Sequence, residues 1–391
     1  MLSAFRMARK SLGRFIFVFF ALFAAACVPS GNGGGGTPGK SDRAKPVQVA
    51  LLVPGGSGQA SDQILADSLT NAARLAAADL SGVKIDLRVY QTGGSPAQAS
   101  AMALQAANEG AEVILGPVFA QEANAAGVAL AGKGINLLAF SNNVDIAGGN
   151  VFVLGPTFDN SARRMASYAV RQGKNRIMIV HERNAAGEAG KRAIQRGITA
   201  SGGTVVAVNS YEFSQQGVSS AAPGIVSTAR ETGASALFLT ADTAGALPLL
   251  SQLLIDNGLD RNASKFLGLT RWDVPAQTLG LPGVQGGWFT LPDPNLYAQF
   301  QSRYQSAYGA APHPIAGLAY DGVAAIGALA RQGSDMSTGS LTQNAGFVGV
   351  SGIFRLRANG TNERGLAVAE IRNNQVVVID PAPRSFSGAG L

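Results

Sequence analysis

Three features of the sequence predict an α/β protein built on two mostly parallel, doubly wound sheets. From Val47 onward, short β-rich runs alternate with Ala-rich stretches long enough for helices, the pattern of parallel strands joined by crossover helices. The strands read as nearly continuous apolar runs, as a sheet covered on both faces requires. The rhythm runs once to residue 155 and then begins again. Composition agrees: of 391 residues 46% are hydrophobic and only 14% charged, which suits a large, closely packed core.

Each element has its own justification. VQVALLV at 47–53 opens the first set, and Leu65, Leu69, Ala72 and Ala76 then recur at helical spacing before the strand IDLRVY at 85–90. Ser95-Pro96 supplies a cap and a first-turn proline for a helix that stops at Gly110. VILG (113–116), INLLAF (135–140) and VFVLG (151–155) complete the set. The second set is RIMIV (176–180), TVVAVNSY (204–211), ALFLT (236–240) and KFLGL (265–269), separated by helix-length segments. No short-period repeat is visible, which argues against a solenoid.

The N-terminus reads as a targeting segment. Arg6, Arg9, Lys10 and Arg14 precede an unbroken apolar run, Phe15 to Ala26. That run is shorter than the roughly 20 residues a spanning helix needs and suits a secretory signal, residues 1–26. It ends in Ala24-Ala25-Ala26-Cys27, which resembles the lipobox of bacterial lipoproteins and implies acylation of Cys27. Cys27 is the only cysteine, so neither an intramolecular disulfide nor a Cys-based metal site exists. Val28 follows it where some bacteria place an inner-membrane retention Asp, which points to the outer membrane. Removing the four N-terminal cations from a formal charge of +7 leaves +3, so nucleic acid is not an expected partner.

GGGGTPGKSD at 33–42 carries Gly34-x-x-x-x-Gly39-Lys40-Ser41, a P-loop pattern, and overlaps the dinucleotide pattern Gly31-x-Gly33-x-x-Gly36. Either pattern binds phosphate only between a strand and a helix N-terminus. Here an apolar run lies upstream, and Pro46 precedes a strand downstream. Residues 27–46 are therefore read as the lipidated Cys and a Gly-rich linker, and no cofactor is expected.

Strand ends define a candidate cleft. Its ligand-binding candidates are Ser57, Gln59, Phe119, Ser141 and Asn142 in the first set, and Glu182, Asp242, Arg271 and Trp272 in the second. Polar amides beside apolar strands and an aromatic at a strand end suit a cleft wall. Each also has a structural alternative: Ser57 as a turn residue, Asp242 as a helix cap, Asp273 as the close of a turn before Pro275. With two histidines and no Gly-x-Ser-x-Gly elbow, a Ser/His triad is not easily assembled, and the chain is read as non-catalytic.

The order of the Gly116-Pro117 turn, FSNN at 140–143, VFVLGPTFDN at 151–160, GLAYDG at 317–322 and FVGVSGIFRLRANG at 347–360 resembles the type I periplasmic binding proteins, over residues 47 to 382. Within them it is similar to Leu/Ile/Val-binding receptors and to the binding-protein-like domain of the lipoprotein activator of penicillin-binding protein. The resemblance implies two lobes, 47–155 plus 293–340 and 156–292 plus 341–382, with a tail at 383–391. It implies a small polar ligand, amino-acid-like or an amide, held between the lobes. It also implies a lipid-anchored periplasmic protein whose partner is an ABC permease or, alternatively, a penicillin-binding protein. Two departures bear on the ligand. Val118-Phe119-Ala120 stands where the receptors carry carboxylate-binding serines, and Leu269-Thr270 stands where they place an acid for the ligand's ammonium.

Overall fold

The computed structural model describes residues 45–386. Cys27, the Gly-rich tract and the end of the expected tail lie outside them. The first sheet comprises β1 (Val47–Val53), β2 (Ile85–Gln91), β3 (Val113–Leu115), β4 (Asn136–Ala139) and β5 (Val151–Val153). Its order is β2-β1-β3-β4-β5 and every pairing is parallel. Consecutive β1 side chains enter two different cores: Val49, Leu51 and Val53 pack on one face, and Ala50 and Leu52 on the other. A strand buried on both faces has no position for a charge. Helices α1 (Ala60–Asp79), α2 (Pro96–Asn108) and α3 (Ala120–Ala129) connect these strands. Ser95 caps α2 as its sequence predicts, its side chain accepting from the Gln98 amide.

The chain then crosses into α4 (Phe158–Arg171) and a second sheet, beginning with β6 (Arg176–Glu182), α5 (Ala185–Ala200), β7 (Thr204–Tyr211) and α6 (Gln215–Glu231). It continues through β8 (Ala236–Leu239), α7 (Leu247–Asp256), β9 (Lys265–Gly268) and β10 (Trp288–Leu291). A second crossing leads to α8 (Pro294–Tyr308), α9 (Gly317–Gln332) and α10 (Thr338–Leu341). A small sheet follows, of β11 (Phe347–Gly349), β12 (Gly352–Leu356) and β13 (Asn362–Arg364). The chain finally returns as β14 (Ala367–Arg372) and β15 (Gln375–Asp380). The order β15-β14-β10-β9-β8-β6-β7 is parallel except that β14 lies antiparallel to both β10 and β15. The fold is therefore two α/β lobes, one on a parallel sheet and one on a mixed sheet.

Core membership bears on the lobe boundaries. Leu341, Phe347, Val350, Phe354 and Leu356 pack with β1 and β3 in the first lobe's core, whereas Ala367, Ala369 and Ile371 join the second. We therefore propose that the third crossing lies at Gly365-Leu366, later than the residue 340 expected from the sequence order.

Two buried arginines fix that crossing. On the first-lobe side Arg364 Nε and Nη2 donate to the Leu154 carbonyl at 3.1 and 2.5 Å, and Nη1 donates to Asp321 Oδ2 at 3.2 Å. Asp321, fully buried on α9, also accepts from the Val350 amide at 2.7 Å. On the second-lobe side Arg164 of α4 donates to the Leu366 carbonyl at 2.7 Å and pairs with Asp380 at 2.9 Å. The first crossing is equally tight, because a side chain on Gly155 would place its Cβ 2.5 Å from the Ser141 carbonyl oxygen.

Removing one partner of a buried pair strands the other. Arg364→Met is expected to cost about 3–5 kcal/mol in urea-unfolding free energy, and Arg364→Met combined with Asp321→Leu to recover part of that loss. An Arg364→Met protein as stable as wild type would show that the pair does not hold the crossing.

Candidate functional site

Strand ends from both sheets reach one cavity of about 370 Å³ between the lobes. Asn142 after β4, with Tyr297 of α8 and Ile315 and Leu318 at the start of α9, forms the first-lobe wall. Phe158, Leu269, Thr270, Arg271 and Leu291 form the second. Residues of all three crossings complete the lining: Pro156 and Thr157, Pro292, then Arg364 and Leu366. The volume lies in the range of small-molecule sites and the lining is mainly apolar.

Two arginines, Arg271 and Arg364, bring cationic groups to the lining. Arg271 Nε and Nη2 bind the Asp273 carboxylate at 2.9 and 2.5 Å. Burial pushes the Arg271 guanidinium down, but Asp273 more than offsets this and leaves it above its ordinary value. Burial pushes the Tyr297 hydroxyl up, with Arg271 opposing, and that hydroxyl donates to the Pro314 carbonyl at 3.3 Å. Among the described residues, the buried Thr270 hydroxyl oxygen has no hydrogen-bond partner and no Asp or Glu lines the cavity.

Of the residues predicted from the sequence, Asn142 and Arg271 meet in this cavity. Ser141 is buried beside Asn142, its hydroxyl accepting from the Asn143 amide at 3.1 Å. Ser57, Gln59 and Phe119 lie elsewhere on the first lobe: Ser57 donates to Asp62 at 2.8 Å and accepts from the Gln59 amide, a turn role at the start of α1. Phe119, 40% exposed, is the residue that precedes α3. In the second lobe Glu182 is buried, accepting from the Tyr211 hydroxyl at 3.1 Å and the Asn184 amide at 3.0 Å. Asp242 is exposed, and its backbone carbonyl, not its side chain, accepts from Leu247 ahead of α7. Trp272 is a correction to the cleft-wall reading. Its ring is fully buried in the second lobe's core, stacked on Phe289 at 6.4 Å. It sits so close over Gly268 that a Cβ there would lie 2.5 Å from it.

Phe158, Tyr297, Ile315, Leu318 and Leu366 escaped the strand-end reading because they come from crossings and from helix starts. The one sequence signal for them was proline, Pro156 and Pro292 at two crossings and Pro314 ahead of α9. Glu122 escaped too. It is 1% exposed, a carboxylate in the first turn of α3.

A two-lobed α/β protein with a cavity at its lobe junction is built to bind. The chain belongs to the periplasmic binding protein family, whose model matches residues 46–375. Solved structures with the same fold include a Rhodospirillum rubrum protein assigned to a branched-chain amino acid ABC transporter, at TM-score 0.72 and 18% identity over 86% of this chain and 100% of that one. A Desulfitobacterium hafniense ABC transporter substrate-binding protein in complex with Leu matches at TM-score 0.62 and 18% identity, over 86% and 100%. An R. palustris solute-binding protein in complex with benzoate matches at TM-score 0.56 and 19% identity, over 89% and 99%. Among curated proteins none matches. Among the described residues no group of His, Cys, Asp and Glu is placed to hold a metal ion, and no helix is long and apolar enough to cross a membrane.

Glu122 carries a pH signature. Burial pushes its carboxyl above the ordinary value of 4.5, Thr92 and the Phe119 amide pull it partway back, and Asp62 adds to the rise. A carboxyl raised in the folded state withdraws stability as pH climbs from its unfolded value through its folded one. Glu122→Met is therefore expected to stabilise the protein by about 1–3 kcal/mol at about pH 8. The gain should shrink as pH falls to about 4.5 and below, where the acid is protonated in both states. Urea unfolding across that range checks it, and a gain independent of pH would contradict the assignment.

Proposed function

We propose that the protein is a non-catalytic periplasmic solute receptor that binds one small molecule between its lobes and delivers it to an ABC-type permease. One observation carries this reading: residues of all three lobe crossings line the cavity. A solute seated there touches both lobes and the segments that must bend when they move. Its affinity then differs between open and closed forms, which is the condition for a ligand to shift that equilibrium. The structural neighbours bound to Leu and to benzoate support solute binding on this fold.

A thermal-shift screen of amino acids, amides, organic acids and cell-wall fragments, run after denaturing and refolding the protein to strip carried-over ligand, tests the reading. A stabilising compound that also lowers the radius of gyration in X-ray scattering is the expected result. Absence of any such compound, with co-purification of a penicillin-binding protein instead, would replace transport by regulation of cell-wall synthesis.

We also propose that Cys27 anchors the receptor through lipid, on the strength of the Ala24-Ala25-Ala26-Cys27 segment. Cys27→Ser is expected to move the protein from the membrane fraction to the soluble one, or to leave it unprocessed. Normal processing with unchanged membrane fractionation would refute lipid anchoring.

A further inference from the structure

We propose that the solute is an apolar monocarboxylate, an acid that bears no ammonium group. The inference rests on the reading of the interlobe cavity as the solute site and narrows the class of molecule that fits it.

An ammonium is the group this cavity is least able to hold. No Asp or Glu faces it, so the cation would be buried without a counterion, and uncompensated burial of a charge is strongly unfavourable. The first turns of α4 and α9, at Phe158 and at Gly317-Leu318, both line the same space. Helix amino termini carry partial positive charge, which favours an anion and disfavours a cation.

A carboxylate, by contrast, meets a charged donor that the protein leaves unused, on the cavity-lining Arg271. Asp273 occupies Nε and Nη2 of Arg271, and Nη1 has no acceptor among the described residues. Asp273 fixes the guanidinium plane and is not among the residues that line the cavity. Charge-assisted bonds to a guanidinium are the stronger kind, and a carboxylate can accept one from Nη1. The second wall gives the rest of the ligand its character: Phe158, Leu269, Leu291 and Leu366 surround this polar end, with Ile315 and Leu318 opposite. A branched aliphatic or aromatic body suits such a surface.

Calorimetric titration of the purified protein with matched compounds separates the possibilities: leucine, its deaminated acid isocaproate and isocaproamide, with benzoate and benzamide as an aromatic pair. At least one acid is expected to bind about tenfold or more tightly than its amide, and isocaproate more tightly than leucine. Arg271→Met should weaken acid binding by about tenfold and any amide binding by clearly less. Unaltered melting of the ligand-free variant would show that the fold survives. Leucine binding as tightly as isocaproate, or amides as tightly as acids, overturns the proposal. If none of the five binds but a zwitterion or cation from the broader screen does, the ligand class is wrong and the receptor reading stands. If no solute of any class binds, both fall.

Discussion

The guanidinium of Arg364 is the constraint on which the first lobe's side of the crossings depends. It stands one residue before the third crossing, binds the Leu154 carbonyl at the first crossing and pairs with the fully buried Asp321 of α9. Its side chain also lies over the Phe354 ring at 5.2 Å and contributes to the cavity lining. A buried charge is tolerated only where its partners are in place. Arg364 therefore requires Leu154, Asp321 and its own strand to hold one arrangement. Burial pushes the Asp321 carboxyl up even beside this cation, with Arg364 and the Val350 amide opposing. The site is costly to assemble and correspondingly specific.

The second lobe repeats the device with Arg164. It ties α4 to the Leu366 carbonyl and to Asp380 at the end of β15. Gly365 thus lies between a residue held by the first lobe and one held by the second. A smaller network spans the junction: Glu363 is buried and pairs with Arg355 at 2.5 Å and with Arg357 on its own side, and with Arg163 of α4 on the other. Burial alone would push its carboxyl up, yet the surrounding arginines hold it below its ordinary value. Relative motion of the lobes has to bend segments whose ends are pinned by charge-assisted bonds, which favours a small number of discrete arrangements over continuous flexing.

That architecture explains where the cavity lies. The strand-end loops farther from the crossings are committed to local tasks: Ser57 to a turn, Asn143 to capping a short 3-10 helix at Val144–Ile146, Glu182 to Tyr211 and Asn184. Next to the crossings, Pro156 and Pro292 lack an amide hydrogen and present apolar rings, and the α8–α9 region brings Tyr297, Pro314, Ile315 and Leu318 against the second lobe's strand ends. The result is a mainly apolar chamber with two guanidinium-bearing residues, Arg271 and Arg364, in its lining.

The sequence alone determined the elements and their class. Apolar continuity in VQVALLV, the spacing of Leu65, Leu69, Ala72 and Ala76, and the Ser95-Pro96 cap are local signals, and backbone geometry and burial enforce them within a few residues. The β10, β14 and β15 strands were not read, because their identity as strands comes from pairing at the lobe's edge, and β14 lies antiparallel to an otherwise parallel neighbour. Of the site, Asn142 and Arg271 were legible because they end strands on the facing sheets. Trp272 was misjudged for a physical reason: an aromatic one residue past a polar strand end turns inward or outward according to the space beneath it, and Gly268 supplies that space. Only the tertiary structure decided that Phe158, Tyr297, Ile315 and Leu366, far apart in the chain, share one wall, and that Arg364 meets Leu154 and Asp321. Contacts between crossings depend on how the lobes dock, and no local periodicity encodes them.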